Sequence, residues 1–380
     1  MKNQSFLFEK NGKSSTKRIK LDLINKIIEY RFEKSEFDES VIKDIIRFVN
    51  AVEERYPTFK IPIYFNLGNI EIRDKLTYIL FECICNYIIE YRKRNVYVTF
   101  NVNNIIHTEG IKSSPLLLLG KKQKGSLKKF IHKHKREIYN NHYRRILTVN
   151  ENNDPLFLSK IMSEVDSFLK KFSVSKQYRG NIAEVIIELA GNVLEHALTD
   201  CLIDVDISDG YEKNDEEGSF YGVNITIVNF SENLLGHSIM QKLKQRELLN
   251  ERHKKLLEAY SVHKLKFNED YLEEDFFNIA SFQHKISGRL SNEHTGGTGL
   301  TKLISNLEDY SDAYLCYVIT GNRMILFESD YLSYNEEKWI GFNEVNDFLT
   351  SIPEKGVTGK STINIPGTAY NFNFIMKKEE

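Results

Sequence analysis

The sequence contains few of the features that mark special classes of protein. Cysteine occurs four times in 380 residues, with no CxxC motif and no neighbouring histidine cluster, which argues against a disulfide framework and a zinc site. Only 6 prolines and 20 glycines are present, so long flexible linkers are not indicated. Because 52 basic residues offset 53 acidic ones, the net charge of −1 favours neither nucleic acid nor an anionic membrane as a general partner.

Long apolar runs are also missing. The most apolar segment, residues 76–89, contains Glu82 and Asn86 and falls short of the roughly 20 residues that span a bilayer. We therefore expect a buried helix there. Residues 1–20 are polar and basic, with no apolar stretch suited to a signal peptide. These absences predict a cytoplasmic protein with no membrane contact.

Hydrophobic patterning predicts two domains of an α+β protein. Residues 1–150 are expected to form a small α/β domain, and residues 151–380 a second domain in which helices cover a mixed or antiparallel sheet. The predicted helices are 21–32, 38–55, 74–92, 156–170 and 180–198, with mostly helical structure at 237–290. The predicted strands are 61–67, 96–102, 201–207, 223–230, 313–319, 323–328 and 367–376.

Residues 121–145, at the end of the first domain, are strongly basic. They hold ten Lys or Arg residues as well as His132, His134 and His142. One interpretation is a patch that binds nucleic acid or phosphate. The other is a solvated connector helix, which we favour because no aromatic ladder accompanies the charge.

The predicted helix at residues 179–198 carries a narrow polar stripe. An arc of roughly 80° on the helical wheel holds Glu184, Glu188, Asn192 and Glu195. Apolar side chains fill most of the remaining circumference, and no Lys or Arg one turn away offsets the acids. Such a stripe favours a bound cation, for example Mg²⁺ bridging to phosphates. His196 falls in the apolar arc and is predicted to be a packed histidine.

A glycine-rich loop and two strand ends complete the pattern. The loop consists of Gly296, Gly297, Thr298, Gly299 and Leu300 and precedes a predicted helix. Loops of this kind direct backbone N–H groups at phosphate oxygens, although the spacing is not that of a P-loop. One predicted strand ends at Asn229, and Thr368 lies at the start of the last strand.

Taken in order, these segments resemble the GHKL ATPases, the superfamily of DNA gyrase, histidine kinases and MutL. Residues 188–196 resemble the family's N-box, residues 296–300 its second glycine box, and residues 367–368 its closing GT element. The resemblance covers about residues 155–376. It implies a Bergerat-type two-layer α/β sandwich that binds ATP and Mg²⁺.

The resemblance also implies roles for individual residues. Asn192 would ligate Mg²⁺, and Glu188 would orient or deprotonate the attacking water. The residues implied to contact the nucleotide are Asn192, Asn229, Lys285, Gly296, Gly297, Thr298, Gly299, Leu300 and Thr368. The first glycine box departs from the family pattern, because residues 229–233 stand where the family has DxGxG. Asn229 replaces the Asp that reads adenine, and Ser231 and Asn233 replace the two glycines. An Asn carbonyl still accepts a hydrogen bond from an amine, although less strongly than a carboxylate does.

Residues 237–295 resemble an ATP lid of unusual length. Lys285, Arg289 and His294 stand near its end and are candidates for contact with the γ-phosphate. Lids that become ordered on nucleotide binding couple chemistry to partner contacts. The resemblance therefore implies a homodimer, or a protein partner, contacted through the lid and the N-terminal domain.

Four functions fit these observations. The first is a regulatory switch that binds and hydrolyses ATP with Mg²⁺. The second is a serine kinase of the anti-sigma type, and the third is a nucleotide sensor without hydrolysis, which the altered residue Asn229 favours. The fourth is a DNA-linked ATPase that uses the basic segment 121–145.

Overall fold

Helices and strands alternate through the chain and form two sheets. The computed structural model describes residues 1, 3–12, 19–32, 34–72, 74–104, 109–120, 125–213, 216–246, 249–286 and 315–378. The helices are α1 (Ser5–Lys10), α2 (Glu39–Arg55), α3 (Lys75–Glu90), α4 (Glu109–Lys112), α5 (Ser126–Lys135), α6 (Phe157–Lys170), α7 (Lys176–Asn192), α8 (His237–Gln245), α9 (Glu251–Lys264) and α10 (Glu273–Ala280). The strands are β1 (Lys20–Asp22), β2 (Ile27–Arg31), β3 (Glu36–Phe37), β4 (Ile63–Ile72), β5 (Val96–Asn104), β6 (Arg136–Tyr139), β7 (His142–Leu147), β8 (Cys201–Lys213), β9 (Glu216–Phe230), β10 (Tyr317–Leu326) and β11 (Thr358–Lys377).

The C-terminal sheet has six strands in the order β10-β11-β9-β8-β7-β6. Each neighbouring pair is antiparallel, so of the two predicted arrangements, mixed or antiparallel, the described strands form the antiparallel one. The two strands predicted at 313–319 and 323–328 form one strand, β10, from residue 317 onward. The strand bulges at Gly321, where φ is +58°. The bulge interrupts the regular strand, which explains why the sequence pattern predicts two strands instead of one.

Both faces of the C-terminal sheet are buried. Ile203 and Val205 of β8 belong to one core together with α6 and α7. Leu202 of the same strand belongs to a second core, shared with the N-terminal domain. Successive side chains on a strand point to opposite faces, so helices cover one face and the N-terminal domain covers the other.

The N-terminal sheet is built around the parallel strands β2, β4 and β5, with α2 and α3 in the crossovers between them. The helix predicted at 21–32 is wrong, because β1 and β2 form a hairpin there. Asp22 Oδ1 accepts hydrogen bonds from the N–H groups of Ile24 and Asn25, and Lys26 adopts a φ of +52°. This local turn chemistry overrides the helical spacing of the apolar residues.

Helix α3 lies between the two sheets, which explains its composition. Its residues from Lys75 to Ile89 are all buried, as predicted for segment 76–89. The helix contacts β4 and β5 on one side and β9 and β11 on the other. A helix enclosed on all sides needs no polar face. In the part of the chain that the structure describes, no helix is long and apolar enough to cross a membrane.

The boundary between the two sheets lies earlier than residue 150. Strands β6 and β7 pair with β8 and so belong to the C-terminal sheet. The segment predicted to be a connector helix is therefore α5 followed by two strands of this sheet. Four of its basic residues are exposed, as predicted for a solvated face: Lys128, Lys129, Lys135 and Arg136. His134, His142 and Arg144 are fully buried, although residues 121–124 lie outside the described residues.

Much of the predicted lid at 237–295 is packed helical structure. Leu243 of α8, Leu256 of α9 and Phe276 of α10 share a core with α7. Arg323 of β10 also forms a buried ion pair with Asp275 of α10, with Nη2 and Oδ2 2.6 Å apart. Helices α8, α9 and α10 therefore pack against the domain core, and the predicted lid from residue 287 onward lies outside the described residues.

Candidate functional site

A cavity of about 200 Å³ lies where α7, β9 and β11 meet the start of α8. Apolar side chains, among them Leu189, Ile239 and Tyr370, form part of its wall. Its polar lining includes Glu188, Asn192, Asn229, Asn233, Ser238 and Thr368. A concave site with an apolar wall and a few polar groups is typical of a small-molecule site.

Helix α7 supplies the two polar side chains on one wall. The Ser175 hydroxyl caps the helix by accepting a hydrogen bond from the Tyr178 N–H at 3.3 Å. Glu188 and Asn192 are four residues apart, so they lie one turn apart on the same side of the helix. Both line the cavity. Carboxylate and amide oxygens therefore lie together on one wall.

The predicted polar stripe does not continue to Glu195. After Asn192 the chain forms a π-helical turn, Val193–Ala197, and then reverses at Leu198, where φ is +50°. A π turn changes the angular spacing of the side chains and often occurs at functional sites. Of the predicted stripe, Glu188 and Asn192 line the cavity and Glu184 and Glu195 do not.

Asn229 and Thr368 form the end of the cavity on the sheet. They are direct cross-strand neighbours on β9 and β11. The backbone N–H of Thr368 donates to Asn229 Oδ1 at 3.2 Å, while Asn229 Nδ2 is buried without a hydrogen-bond partner. Gly367 adopts a φ of +112°, and a Cβ there would lie 2.5 Å from the Asn229 carbonyl oxygen. Glycine is therefore required for β11 to approach Asn229.

The opposite wall comes from the segment that was predicted to be a lid. The loop after β9 leads into α8 through Gly236, whose N–H donates to Asn278 Oδ1 at 3.1 Å. A Cβ at Gly236 would lie 2.4 Å from the Phe277 carbonyl carbon, so the loop contacts α10 closely. Ser238 of α8 and Ser281, which follows α10, both line the cavity.

The structure brings together four of the residues predicted from sequence. Glu188, Asn192, Asn229 and Thr368 line the same cavity although they come from three separate segments. Lys285 is exposed and does not line it, although its neighbour Ile286 does. The predicted residues Gly296, Gly297, Thr298, Gly299 and Leu300, and also Arg289 and His294, lie outside the described residues. So does the side chain of His196.

Sequence reasoning missed part of the cavity lining. Ser238 lies in a short helix that matches no predicted motif, and Asn233 ends the altered first glycine box but was not predicted to contact the nucleotide. The available signal was their position directly after Asn229, because the chain that leaves a strand end commonly lines a site there.

A second polar cluster, also missed, lies on the opposite face of the sheet. Asp204 on β8 accepts from His142 Nε2 at 2.9 Å and from Arg144 Nε. Lys75 Nζ lies 2.6 Å from Asp204 Oδ1 and 2.5 Å from Asp206 Oδ2. Each of these five side chains is fully buried or nearly so.

The same cluster extends into helix α3 through Glu82. The Arg144 guanidinium donates to Glu82, and His134 Nδ1 lies 2.8 Å from Glu82 Oε1. Burial opposes ionisation of both Asp204 and Glu82, but the neighbouring cations hold the pKa of each carboxyl below its ordinary value. Burial lowers the pKa of His134, although the hydrogen bond with Glu82 acts to raise it. The cluster therefore joins the N-terminal domain to the C-terminal sheet.

The donor set of the cavity fits a hard divalent cation. Mg²⁺ prefers oxygen ligands and is commonly held by one or two protein side chains together with substrate phosphates. The Glu188 carboxylate and the Asn192 amide oxygen provide ligands of this kind. Among the described residues, no group of three or more His, Cys, Asp and Glu side chains could hold a metal ion without such a substrate.

Comparison of the chain with models of protein families, with curated proteins and with solved structures finds no match.

Proposed function

We propose that the chain is a regulatory switch that binds ATP and hydrolyses it with Mg²⁺, and that its C-terminal domain is of the Bergerat type. The observation that supports this is the shared cavity. Glu188, Asn192, Asn229 and Thr368 were assigned to one nucleotide site from separated motifs, and they line one cavity. Motifs that matched by accident would have no reason to meet in space.

Each group in the cavity then has a chemical role. Asn192 holds Mg²⁺ through its side-chain oxygen, and Glu188 orients the attacking water and takes its proton. Asn229 and Thr368 bind the end of the nucleotide that lies against the sheet. When bound, Mg²⁺ neutralises charge on the phosphate oxygens, which is the main requirement of phosphoryl transfer. Residues 296–300, which lie outside the described residues, keep the role that the resemblance implies for them, contact with the phosphates.

The surroundings of the cavity support a switch. Its wall includes α8 and the end of α10, and β9 and β11 connect it to the N-terminal domain on the other face of the sheet. A ligand that binds one conformation of these elements better than another shifts their equilibrium. The output is a changed interface with a second copy of the chain or with a protein partner.

The test measures ATP binding and phosphate release for the wild type and three variants of α7, with and without Mg²⁺. We expect Glu188→Ala to bind ATP without turnover, and Asn192→Ala to lose the Mg²⁺-dependent part of binding. Glu184→Ala is the matched control, because it removes a carboxylate from the same helix outside the cavity. Equal loss in the control, or no ATP binding by the wild type, contradicts the proposal.

Two other functions remain as outcomes of the same experiment. If the wild type binds ATP but releases no phosphate, the chain is a nucleotide sensor or a serine kinase. Transfer of labelled phosphate to a protein hydroxyl then identifies the kinase, and its absence identifies the sensor.

A further inference from the structure

The loop between β9 and α8 forms part of the cavity wall although it is neither a helix nor a strand. Residues 231–236 are called the wall loop here, and Asn233, Leu234 and Leu235 of this loop line the cavity. A loop has no regular ladder of its own, so its position depends on the groups that its backbone N–H donors reach. Those groups decide where this wall of the cavity stands.

Two of the partners are side-chain oxygens from elements that are distant in sequence. The Leu235 N–H donates to Thr320 Oγ1 of β10 at 3.1 Å, and the Gly236 N–H donates to Asn278 Oδ1 of α10 at 3.1 Å. The side chains of Thr320 and Asn278 are both buried, so water does not compete for these bonds. The wall loop is therefore held in place by two other elements of the domain.

The Thr320 hydroxyl also bonds the end of the cavity that lies on the sheet. Its Oγ1 donates to the Gly367 carbonyl at 2.9 Å. The pairing of β10 with β11 shifts register at this point, since Thr320 lies opposite Thr368 but Gly321 lies opposite Ile365. A register shift disrupts the backbone ladder locally, so a side-chain hydrogen bond there helps to hold the two strands together.

One hydroxyl group thus connects two walls of the cavity. A threonine hydroxyl has one hydrogen to donate and lone pairs with which to accept, so both bonds form at the same time. Leu235 lines the cavity, and so does Thr368, the neighbour of Gly367, whereas Thr320 is not part of the lining. The hydroxyl therefore fixes the separation between the wall loop and β11 without facing a ligand itself.

We propose that Thr320 is a positioning residue of the nucleotide site, because its hydroxyl holds the wall loop and β11 at the separation that the bound nucleotide requires. This inference rests on the proposed function, since it concerns the same site. Thr320 acts through Leu235 and Gly367 and does not touch the nucleotide. Walls that are already in place lower the cost of ordering on binding, and small displacements of a site weaken it strongly.

The experiment measures the dissociation constant for ATP with Mg²⁺ by calorimetry, and kcat and KM for phosphate release, on the full chain. Thr320→Val removes both hydrogen bonds and keeps the shape of the side chain, whereas Thr320→Ser keeps the hydroxyl. Thr358→Val is the matched control. Thr358 lies on β11 opposite Ile325 of β10, and its Oγ1 donates to the Asp270 carbonyl at 3.1 Å, away from the cavity.

We expect Thr320→Val to raise the dissociation constant and KM for ATP by about tenfold or more, since a misplacement of about 1 Å in a site can cost about a hundredfold. The value of kcat should change much less, because Glu188 and Asn192 on α7 are not altered. Thr320→Ser should restore binding close to that of the wild type. Thr358→Val should keep the wild-type dissociation constant although it also loses a hydroxyl–carbonyl bond.

A check that needs no variant is amide hydrogen exchange in the wild type. The Leu235 amide should be protected, because its hydrogen bond to Thr320 is buried. Exchange at the rate of an unstructured peptide would overturn the inference even if Thr320→Val did not fold.

Three further results overturn the inference while leaving the proposed function intact. One is wild-type affinity for ATP in Thr320→Val, and another is an equal loss of affinity in Thr358→Val, which would show a general effect of lost stability. The third is a Thr320→Ser variant as weak as Thr320→Val, which would assign the effect to the methyl group. If the wild type binds no ATP, the inference and the proposed function fail together.

Discussion

On the face of the C-terminal sheet that contacts the N-terminal domain, Asp204 lies within reach of Lys75, His142 and Arg144. On the opposite face, Asn229 lies in a cavity with a donor that no protein group accepts. The first set of polar groups is charged and enclosed, with oppositely charged partners a hydrogen bond away. The groups of the second set that lie on the sheet, Asn229 and Thr368, are uncharged, and they share the cavity with the carboxylate of Glu188 on α7.

The difference separates polar groups that hold the structure from polar groups that await a ligand. Buried charges are tolerated when partners surround them, and removing one partner is costly. Buried atoms without a hydrogen-bond partner occur in both sets, for example Arg144 Nη2 and Asn229 Nδ2, so the two sets differ in charge and in whether they line a cavity. The cluster at Asp204 is therefore expected to govern folding and domain docking, and the cavity to govern function.

The largest effect is expected from Asp204→Ala. The substitution leaves Arg144, His142 and Lys75 buried without their shared carboxylate, and should lower the free energy of unfolding by about 3–5 kcal/mol. Urea denaturation followed by circular dichroism measures the change. The control is Lys160→Ala, which breaks an exposed pair with Asp154 and should have no measurable effect. Equal stability of the two variants would show that the buried cluster does not hold the domains together.

The buried residue His263 has only uncharged hydrogen-bond partners, and it predicts how the stability of the protein depends on pH. His263 Nε2 donates to the Phe348 carbonyl at 2.8 Å, so Nδ1 accepts from the Tyr271 hydroxyl at 2.7 Å and the ring is neutral. Burial lowers the pKa of His263 from 6.5 to about 4. Because the unfolded chain binds this proton at a higher pH than the folded chain, its contribution to stability is complete above pH 6.5 and is lost as the pH falls towards 4.

The expected loss from His263 is about 3 kcal/mol across this pH range. The measurement is the difference in unfolding free energy between the wild type and His263→Gln at several pH values. Burial also lowers the pKa of His134, which adds to the slope in both proteins and cancels in the difference. Parallel curves for the two proteins would mean that His263 titrates normally in the folded chain.

The close contact between Gly367 of β11 and Asn229 leads to a smaller expected effect. Gly356, which lies on the loop before β11, provides the control. Gly356 has a φ of +94° with open space around it, so Gly356→Ala should show the backbone strain alone, about 1 kcal/mol. Gly367→Ala adds a clash with Asn229 and should cost about 2–3 kcal/mol. It should also weaken nucleotide binding, which Gly356→Ala should not. Thermal and urea unfolding together with ATP titration check both parts.

Local pattern was sufficient where an element is amphipathic or follows a known motif order. The spacing of Ile42, Ile45 and Val49 predicted α2, and those residues are buried in the structure. The motif order also predicted Glu188 and Asn229 as neighbours in space, and both line the cavity. For α2 the information lies within one helix, whereas the grouping of Glu188 with Asn229 came from the resemblance to the GHKL ATPases.

The remaining features depend on contacts that a single sequence does not reveal. The partners Glu82 and Arg144 are 62 positions apart, so the sequence alone does not show that Arg144 and His134 of the basic segment are buried beside a carboxylate. The hairpin at β1 and β2 depends on a turn closed by Asp22, which competes with helical spacing in a short segment. The π turn after Asn192 has no sequence pattern of its own, and it places Glu195 outside the polar stripe that the helical wheel predicts.

Asn192→Ala is expected to have the smallest effect on stability, and to leave the unfolding free energy unchanged or slightly higher. Asn192 ends α7 and makes no capping hydrogen bond, and alanine has the higher helix propensity. The unfolding free energy should therefore stay the same or rise by about 0.5 kcal/mol, while Mg²⁺-dependent nucleotide binding is lost. Urea denaturation and nucleotide titration on the same preparation measure both quantities. Replacing a residue whose role is to bind a ligand should not destabilise the ligand-free protein. A loss of about 1 kcal/mol or more in unfolding free energy would therefore show that Asn192 has a structural role, like the charged cluster at Asp204.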